Sequence, residues 1–323
     1  MEHPALDEFA RRVRGLAGRS HLDAAAVEVL DEFEAAGVQS ILLKGPVLAR
    51  RLYTEAEHRS YSDVDVIVAP HELAAARRVL GGLGYIDASA QHGIEDVAGV
   101  VHAETWAQAH QRLGPLMIDL HWKLAGVEAP SDIAWNALAA RTEWIDFAGR
   151  RTPALDPSGL ALHLATHAAQ HGPDDIKAIA DLTRGLDRWG EEVWRSAAEL
   201  AVELEATRAF AAGLRLVPAG ASLARELDLP DTADLDWEIL HRAARPRGTF
   251  HVQALAEARS ARERVGVLRR ALFPTRQWIA YEHPWVRDSR GRLLAARAIH
   301  LLRAPAWAVR AWKFRRRARR ARP

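Results

Sequence analysis

Asp63 and Asp65 stand two residues apart in Ser62-Asp63-Val64-Asp65-Val66-Ile67-Val68, a β-branched run that reads as a strand ended by Pro70. Side chains at i and i+2 of a strand leave the same face, roughly 7 Å apart along it. Two carboxylates aimed the same way from an apolar strand repel each other and lose hydration unless a cation joins them. Oxygen ligands alone suit Mg²⁺ or Mn²⁺. Asp119, in Leu116-Met117-Ile118-Asp119-Leu120-His121-Trp122, is flanked by apolar residues in the same way. From a neighbouring strand, about 5 Å away, it would complete a site for two metal ions. The plainer reading of Asp-x-Asp is a solvated strand edge; the third apolar-flanked aspartate weighs against it.

Upstream, the strand-like Val38–Leu43 runs into Lys44-Gly45-Pro46 and a short helix from about Val47 to Tyr53. A glycine between strand and helix lets backbone amides approach phosphates at a helix N-terminus, where the dipole favours anions. Lys44 adds a point charge. An ordinary strand-to-helix turn has the same composition.

The order Leu43-Lys44-Gly45, Arg59-Ser60-Tyr61-Ser62-Asp63-Val64-Asp65 and Ile118-Asp119-Leu120-His121-Trp122 resembles the DNA polymerase beta-like nucleotidyltransferase superfamily. More narrowly, it resembles the bacterial uncharacterised nucleotidyltransferase group, over about residues 35–190. The resemblance implies an α/β (α+β) protein: a small mixed-sheet catalytic core followed by a mainly helical domain. It implies that Asp63 and Asp65 hold Mg²⁺ or Mn²⁺ on the triphosphate of an NTP co-substrate, while Asp119 activates the attacking hydroxyl. Lys44, Gly45, Arg59, Ser62 and Lys177 would surround the nucleotide. The superfamily usually has Gly-Ser or Gly-Gly at the turn. Here Pro46 has no N–H to donate, so one phosphate contact is lost or passes to Lys44.

Other residues admit two readings each. Arg59 reaches the phosphates or the base, or is a surface arginine. Lys177 and Asp181 are i, i+4 on a helix: a phosphate-binding lysine, or a helix-stabilising ion pair worth a few tenths of a kcal/mol. His163, His167 and His171 share one helix face; they line the cleft, pack a helix, or bind zinc with Asp174 or Asp175. His121 shares the face of Asp119, and Trp122 points the other way, into the core.

The elements that must position these groups divide the sequence. Residues 1–34 read as two helices packing on the core. Residues 35–155 hold the strands, with Val100–Ala109 as a further strand, a helix over His71–Leu80, a turn at Gly114-Pro115 and a hairpin around Gly149. Residues 156–245 are Ala/Leu-rich and helical, a domain that closes the cleft. Residues 246–323 are a helical extension with an Arg-rich tail.

Composition narrows the classes. At 49% hydrophobic and 27% charged, the chain reads as a soluble globular protein. It has no cysteine, which excludes disulfides, thiolate metal sites and a thiol nucleophile. No secretory signal or membrane span is legible, and a cytoplasmic location is expected. The net charge of +2 is uneven: from Arg287 onward there are 13 Lys/Arg against Asp288, leaving the first 286 residues at −10. That tail, with Trp312 and Phe314 among its arginines, suits an anionic membrane surface or a nucleic acid, or is a frayed terminus.

The expected activity is metal-dependent transfer of NMP from an NTP to a hydroxyl or phosphate acceptor, a small molecule or peptide. Competing readings are a toxin-like transferase that modifies tRNA or protein, an inactive nucleotidyltransferase fold used as a binding module, and a zinc hydrolase built on the histidine helix.

Overall fold

A computed structural model describes residues 4–54, 57, 59–88, 102–108, 116–231, 248–258, 260–274, 276, 279, 283, 285, 286 and 289–320. The Gly114-Pro115 turn and the end of the helical half, 232–245, lie outside these residues.

The chain opens with one helix, α1 (Pro4–Ala35), where two are expected. Gly15 and Gly18 do not break it, since isolated glycines inside a helical pattern are tolerated. Its second half buries Leu22, Ala26, Val29, Leu30 and Phe33 at the usual three- to four-residue spacing. Gly37, at φ 72°, closes it.

The sheet comprises β1 (Ser40–Leu42), β2 (Val64–Val68), β3 (Ile86–Asp87), β4 (Ala103–Gln108), β5 (Leu116–His121), β6 (Thr142–Phe147) and β7 (Arg150–Leu155). Their order is β3-β4-β5-β2-β1-β7-β6. β2 pairs parallel with β5 and antiparallel with β1, and β1 pairs parallel with β7. All five residues of β2 are buried, as a strand at the centre of a covered sheet requires. Between the strands lie α2 (Lys44–Arg51), α3 (Leu73–Gly82) and α4 (Ser131–Ala139). The expected hairpin is present: Ala148 and Gly149 both have positive φ, 53° and 84°, the backbone of a tight two-residue turn.

The helical half is built around α5 (Pro157–His171). Asp156 caps it, accepting from the Gly159 N–H at 2.7 Å, and Pro157 occupies its first turn. α6 (Ile176–Arg188), α7 (Glu191–Glu203) and α8 (Thr207–Leu214) pack around α5. Gly213 is required where α8 meets α5: a Cβ there would lie 1.8 Å from the Ala165 carbonyl oxygen. α9 (Pro218–Glu226) follows. One apolar cluster runs from Leu22 through the sheet to Ala224.

Beyond it are α10 (Thr249–Glu257), α11 (Ala261–Leu272) and the long α12 (Arg290–Arg320). A small separate core of Ile279, Val286 and Ala296 forms there. No helix among the described residues is long and apolar enough to cross a membrane.

Candidate active site

The parallel pairing of β2 with β5 sets Asp65 directly opposite Asp119. The antiparallel pairing of β5 with β4 sets Thr105 opposite Asp119. One row across three strands therefore reads Thr105, Asp119, Asp65. The Thr105 hydroxyl donates to Asp119 Oδ1 at 2.7 Å. His121, two residues along β5 on the same face, lies 3.0 Å from Asp65 Oδ1 through Nε2. Lys44, on the first turn of α2, puts its ammonium 2.8 Å from the same Asp65 oxygen.

The two carboxylates occupy different electrostatic environments. Asp65 is fully buried, which by itself opposes ionisation, yet the Lys44 charge and the His121 hydrogen bond hold it well below the usual carboxylate range. Asp119 is pushed up by burial and by the neighbouring Asp65 charge. Lys44 stays charged: burial opposes this, and Asp65, Asp119 and Asp63 together raise its pKa above the ordinary lysine value.

The residues fit a divalent cation. Asp65, Asp119 and His121 each offer a ligand atom, all within 4.8 Å of one another, and no other such group occurs among the described residues. Asp65 Oδ2 is buried without a hydrogen-bond partner, a costly state that a cation would relieve. Two carboxylates and an imidazole form a hard, mostly oxygen donor set. His121 enters this group; its sequence signals are the strand alternation that puts it on the face of Asp119 and its place in the Asp119-Leu120-His121-Trp122 match. Asp63, expected as a third metal ligand, precedes β2 and stands outside the close group. Its charge still reaches Lys44, Asp119 and Lys177.

Gly45 lies inside the first turn of α2 rather than in a loop ahead of it, and it is buried. A Cβ there would come 3.2 Å from the Asp63 carbonyl oxygen, so the glycine lets the helix pack tightly on the segment entering β2. Ser62 is exposed beside Asp63.

Arg59 is 6% exposed, so it is not a surface arginine. Its guanidinium donates through Nε and Nη2 to the two oxygens of Asp181, at 2.8 and 2.7 Å, and through Nη1 to the Gly45 carbonyl at 3.0 Å. The Tyr53 hydroxyl donates to the same Asp181 at 2.6 Å, and burial with that hydrogen bond pushes its pKa up to about 12. Asp181 is thus tied to Arg59 rather than to Lys177. Lys177 is exposed in the first turn of α6; desolvation and the Arg59 charge push its ammonium below the ordinary value, against the pull of Asp63, Asp181 and Asp65.

His163, His167 and His171 form a ladder along α5, with ring centroids 6.1 and 4.2 Å apart. Its inner end senses the charges of Lys44 and Asp65, and its outer end pairs with Asp175 at 3.0 Å. Burial drives all three below the ordinary histidine value. The ladder is not among the groups spaced for a shared metal among the described residues, so the zinc reading finds no support in it. Trp122 lies just past β5 and is half-buried rather than in the core.

No curated protein is significantly similar to the chain. Solved structures with similarity include the lincomycin-bound lincosamide antibiotic adenylyltransferase LnuA, at 15% identity over 50% of this chain and 93% of that one, TM-score 0.33. An antigenic nucleotidyltransferase-like protein from Paracoccidioides brasiliensis matches at 13% identity over 57% and 92%, TM-score 0.38. The antibiotic-resistance factor ANT(2'')-Ia matches at 15% identity over 60% and 96%, TM-score 0.36. A family model described as uncharacterised nucleotidyltransferase matches residues 2–219, which take in the whole sheet and every residue of the site. The chain belongs to that family.

Proposed function

We propose that the protein transfers a nucleoside monophosphate from an NTP to a hydroxyl acceptor, with Asp65 and Asp119 at the reacting centre and Asp63 beside them. The observation that carries the reading is the adjacent pair Asp65 and Asp119, with Oδ1 of Asp65 held by a lysine and a histidine and its Oδ2 left without a partner. Asp63, Asp65, Asp119 and His121 are the residues that would hold Mg²⁺ or Mn²⁺. Such an ion, when bound, offsets triphosphate charge and polarises the α-phosphoryl group.

The remaining work falls to the chain's own groups. Lys44 and Lys177 offset the negative charge of the triphosphate from the two sides of the cleft, while Gly45 and Ser62 lie where the nucleotide approaches Asp63. Arg59 holds α6, and with it Lys177, against the first turn of α2; its contribution is to position these lysines. Asp119, one oxygen fixed by Thr105, takes the proton of the acceptor hydroxyl. The acceptor oxygen bonds to the α-phosphorus, the bond to the bridging oxygen breaks, and pyrophosphate leaves. The histidine ladder forms one wall of the cleft. Its neutral rings suit an uncharged acceptor surface better than an anionic one.

The test is thermal unfolding with ATP, GTP, CTP and UTP, each with and without Mg²⁺ or Mn²⁺. A ligand at ten times its Kd adds about 1.4 kcal/mol to the folded state. A metal-dependent shift with one nucleotide, absent in Asp63→Ala/Asp65→Ala, supports the reading and identifies the donor. No shift with any nucleotide contradicts it.

A further inference from the structure

The C-terminal extension leaves an apolar surface that the nucleotide site does not use. Nine of the fourteen exposed large hydrophobic residues described lie beyond residue 260. On α12 they are Leu294, Leu301, Leu302, Val309 and Trp312, from 39% to 80% exposed. At 3.6 residues per turn, steps of seven, eight and three keep Leu294, Leu301, Val309 and Trp312 on one stripe, with Leu302 at its edge.

The opposite side of the helix is already occupied. Ala296, His300 and Ala311 are buried there. His300 Nε2 lies 2.9 Å from the Ala271 carbonyl oxygen of α11, and its ring meets Trp307 at 5.0 Å between centroids. α12 is therefore held to the extension by one face and presents the other outward. By the same helical period, Lys313 borders the apolar stripe on one side and Arg290 and Arg297 on the other, while Arg316 lies over the Trp312 ring. All four are exposed. Past the stripe the chain continues through Lys313 and Arg315-Arg316-Arg317, while the first 286 residues carry −10.

We infer that α12 lies on an anionic lipid surface, its apolar stripe among the acyl chains at the headgroup boundary and its arginines among the phosphates. An exposed apolar stripe edged by arginines is the pattern of helices that lie in a membrane interface. A nucleic acid would use the arginines and leave the aliphatic stripe in water. A second copy of α12 would bring like charges together. The acidic body is repelled by the same surface, which fixes the orientation: the extension faces lipid and the nucleotide cleft stays in water.

The experiment is sedimentation of the full chain with vesicles of phosphatidylcholine alone and of phosphatidylcholine with phosphatidylglycerol, at low and high salt. The variants are Leu302→Glu and Trp312→Glu, both at exposed positions, and Arg290→Gln/Arg297→Gln, with circular dichroism confirming their fold. Binding is expected on anionic vesicles, weaker on neutral ones and weaker at high salt. Each glutamate should weaken it at least tenfold, and each lost arginine about fivefold. Absence of binding to anionic vesicles overturns the proposal. So does tight binding to single-stranded RNA that Leu302→Glu leaves unchanged, or a concentration-dependent dimer in free solution that Leu302→Glu abolishes. The readout is independent of nucleotide transfer, so a catalytically dead chain should bind vesicles equally well.

Discussion

Lys44 Nζ and the buried Asp65 Oδ1 form an ion pair at 2.8 Å, joining the first turn of α2 to the centre of the sheet. Each partner keeps its charge in a place where burial alone would neutralise it. The pair takes one oxygen of Asp65 and leaves the other without a partner, so the lysine fixes which side of the carboxylate remains available.

Replacing Lys44 by Met should therefore do two things. Asp65 loses its main stabilising charge, and its pKa rises toward the ordinary carboxylate value or beyond. Transfer should fall by about 10²–10³-fold, the size of effect seen when a charge-stabilising group is removed. Steady-state rates of pyrophosphate release measure it. Unchanged rates would show that the pair is structural only.

The Arg59–Asp181 pair, 122 residues apart in sequence, predicts a stability effect. Both side chains are almost fully buried, so removing one strands the other. Asp181→Ala should cost about 3–5 kcal/mol in urea unfolding. Arg59→Met/Asp181→Leu should cost much less than the sum of the single changes, because no unpaired charge remains. If transfer in the double variant is also lost, Arg59 serves the site by holding α6 in place.

Gly45→Ala tests the close approach of α2 to Asp63. The new methyl, 3.2 Å from the Asp63 carbonyl oxygen, must displace backbone. The expected cost is about 1–3 kcal/mol. Nucleotide affinity should fall more than stability alone explains, since the shifted segment carries Asp63. Thermal unfolding with and without nucleotide separates the two effects.

The histidine ladder predicts a loss of stability in acid. His163 is buried, and its folded pKa lies well below the ordinary 6.5. Below that pH the unfolded chain takes up a proton that the folded chain refuses. The stability of the neutral form is therefore complete above about 6.5 and declines as pH falls toward the folded pKa. For His163 alone the slope is up to about 1.4 kcal/mol per pH unit. His167 and His171 shift in the same direction and steepen it. Melting temperature followed from pH 7.5 to 5 should fall faster for the wild type than for His163→Leu. Parallel curves would remove the ladder from the account.

The chemistry-bearing residues were legible because strand alternation is a short-range rule. Spacing alone assigns Asp63, Asp65, Asp119 and His121 to faces, and the family resemblance implies a shared site for the three aspartates. The direct Asp65–Asp119 register needed the sheet. The partner of Arg59 was hidden because nothing in Arg59-Ser60-Tyr61 points to Asp181. For Lys177 and Asp181 the spacing offers a phosphate-binding lysine or a local i, i+4 pair; Asp181 pairs instead with a distant buried arginine, since a two-point guanidinium–carboxylate contact outweighs an exposed helical one. α1 is one helix where two are expected, since isolated glycines inside a helical pattern are tolerated.

The most direct test of the account is Mn²⁺ titration followed by electron paramagnetic resonance, with a non-hydrolysable NTP, on wild type, Asp65→Asn and Asp119→Asn. The account predicts nucleotide-dependent Mn²⁺ binding in the wild type and its loss or at least tenfold weakening in each variant. Equal Mn²⁺ binding in all three, or none in the wild type with any nucleotide, would contradict the claim that Asp65 and Asp119 form the metal-holding centre of a nucleotidyltransferase.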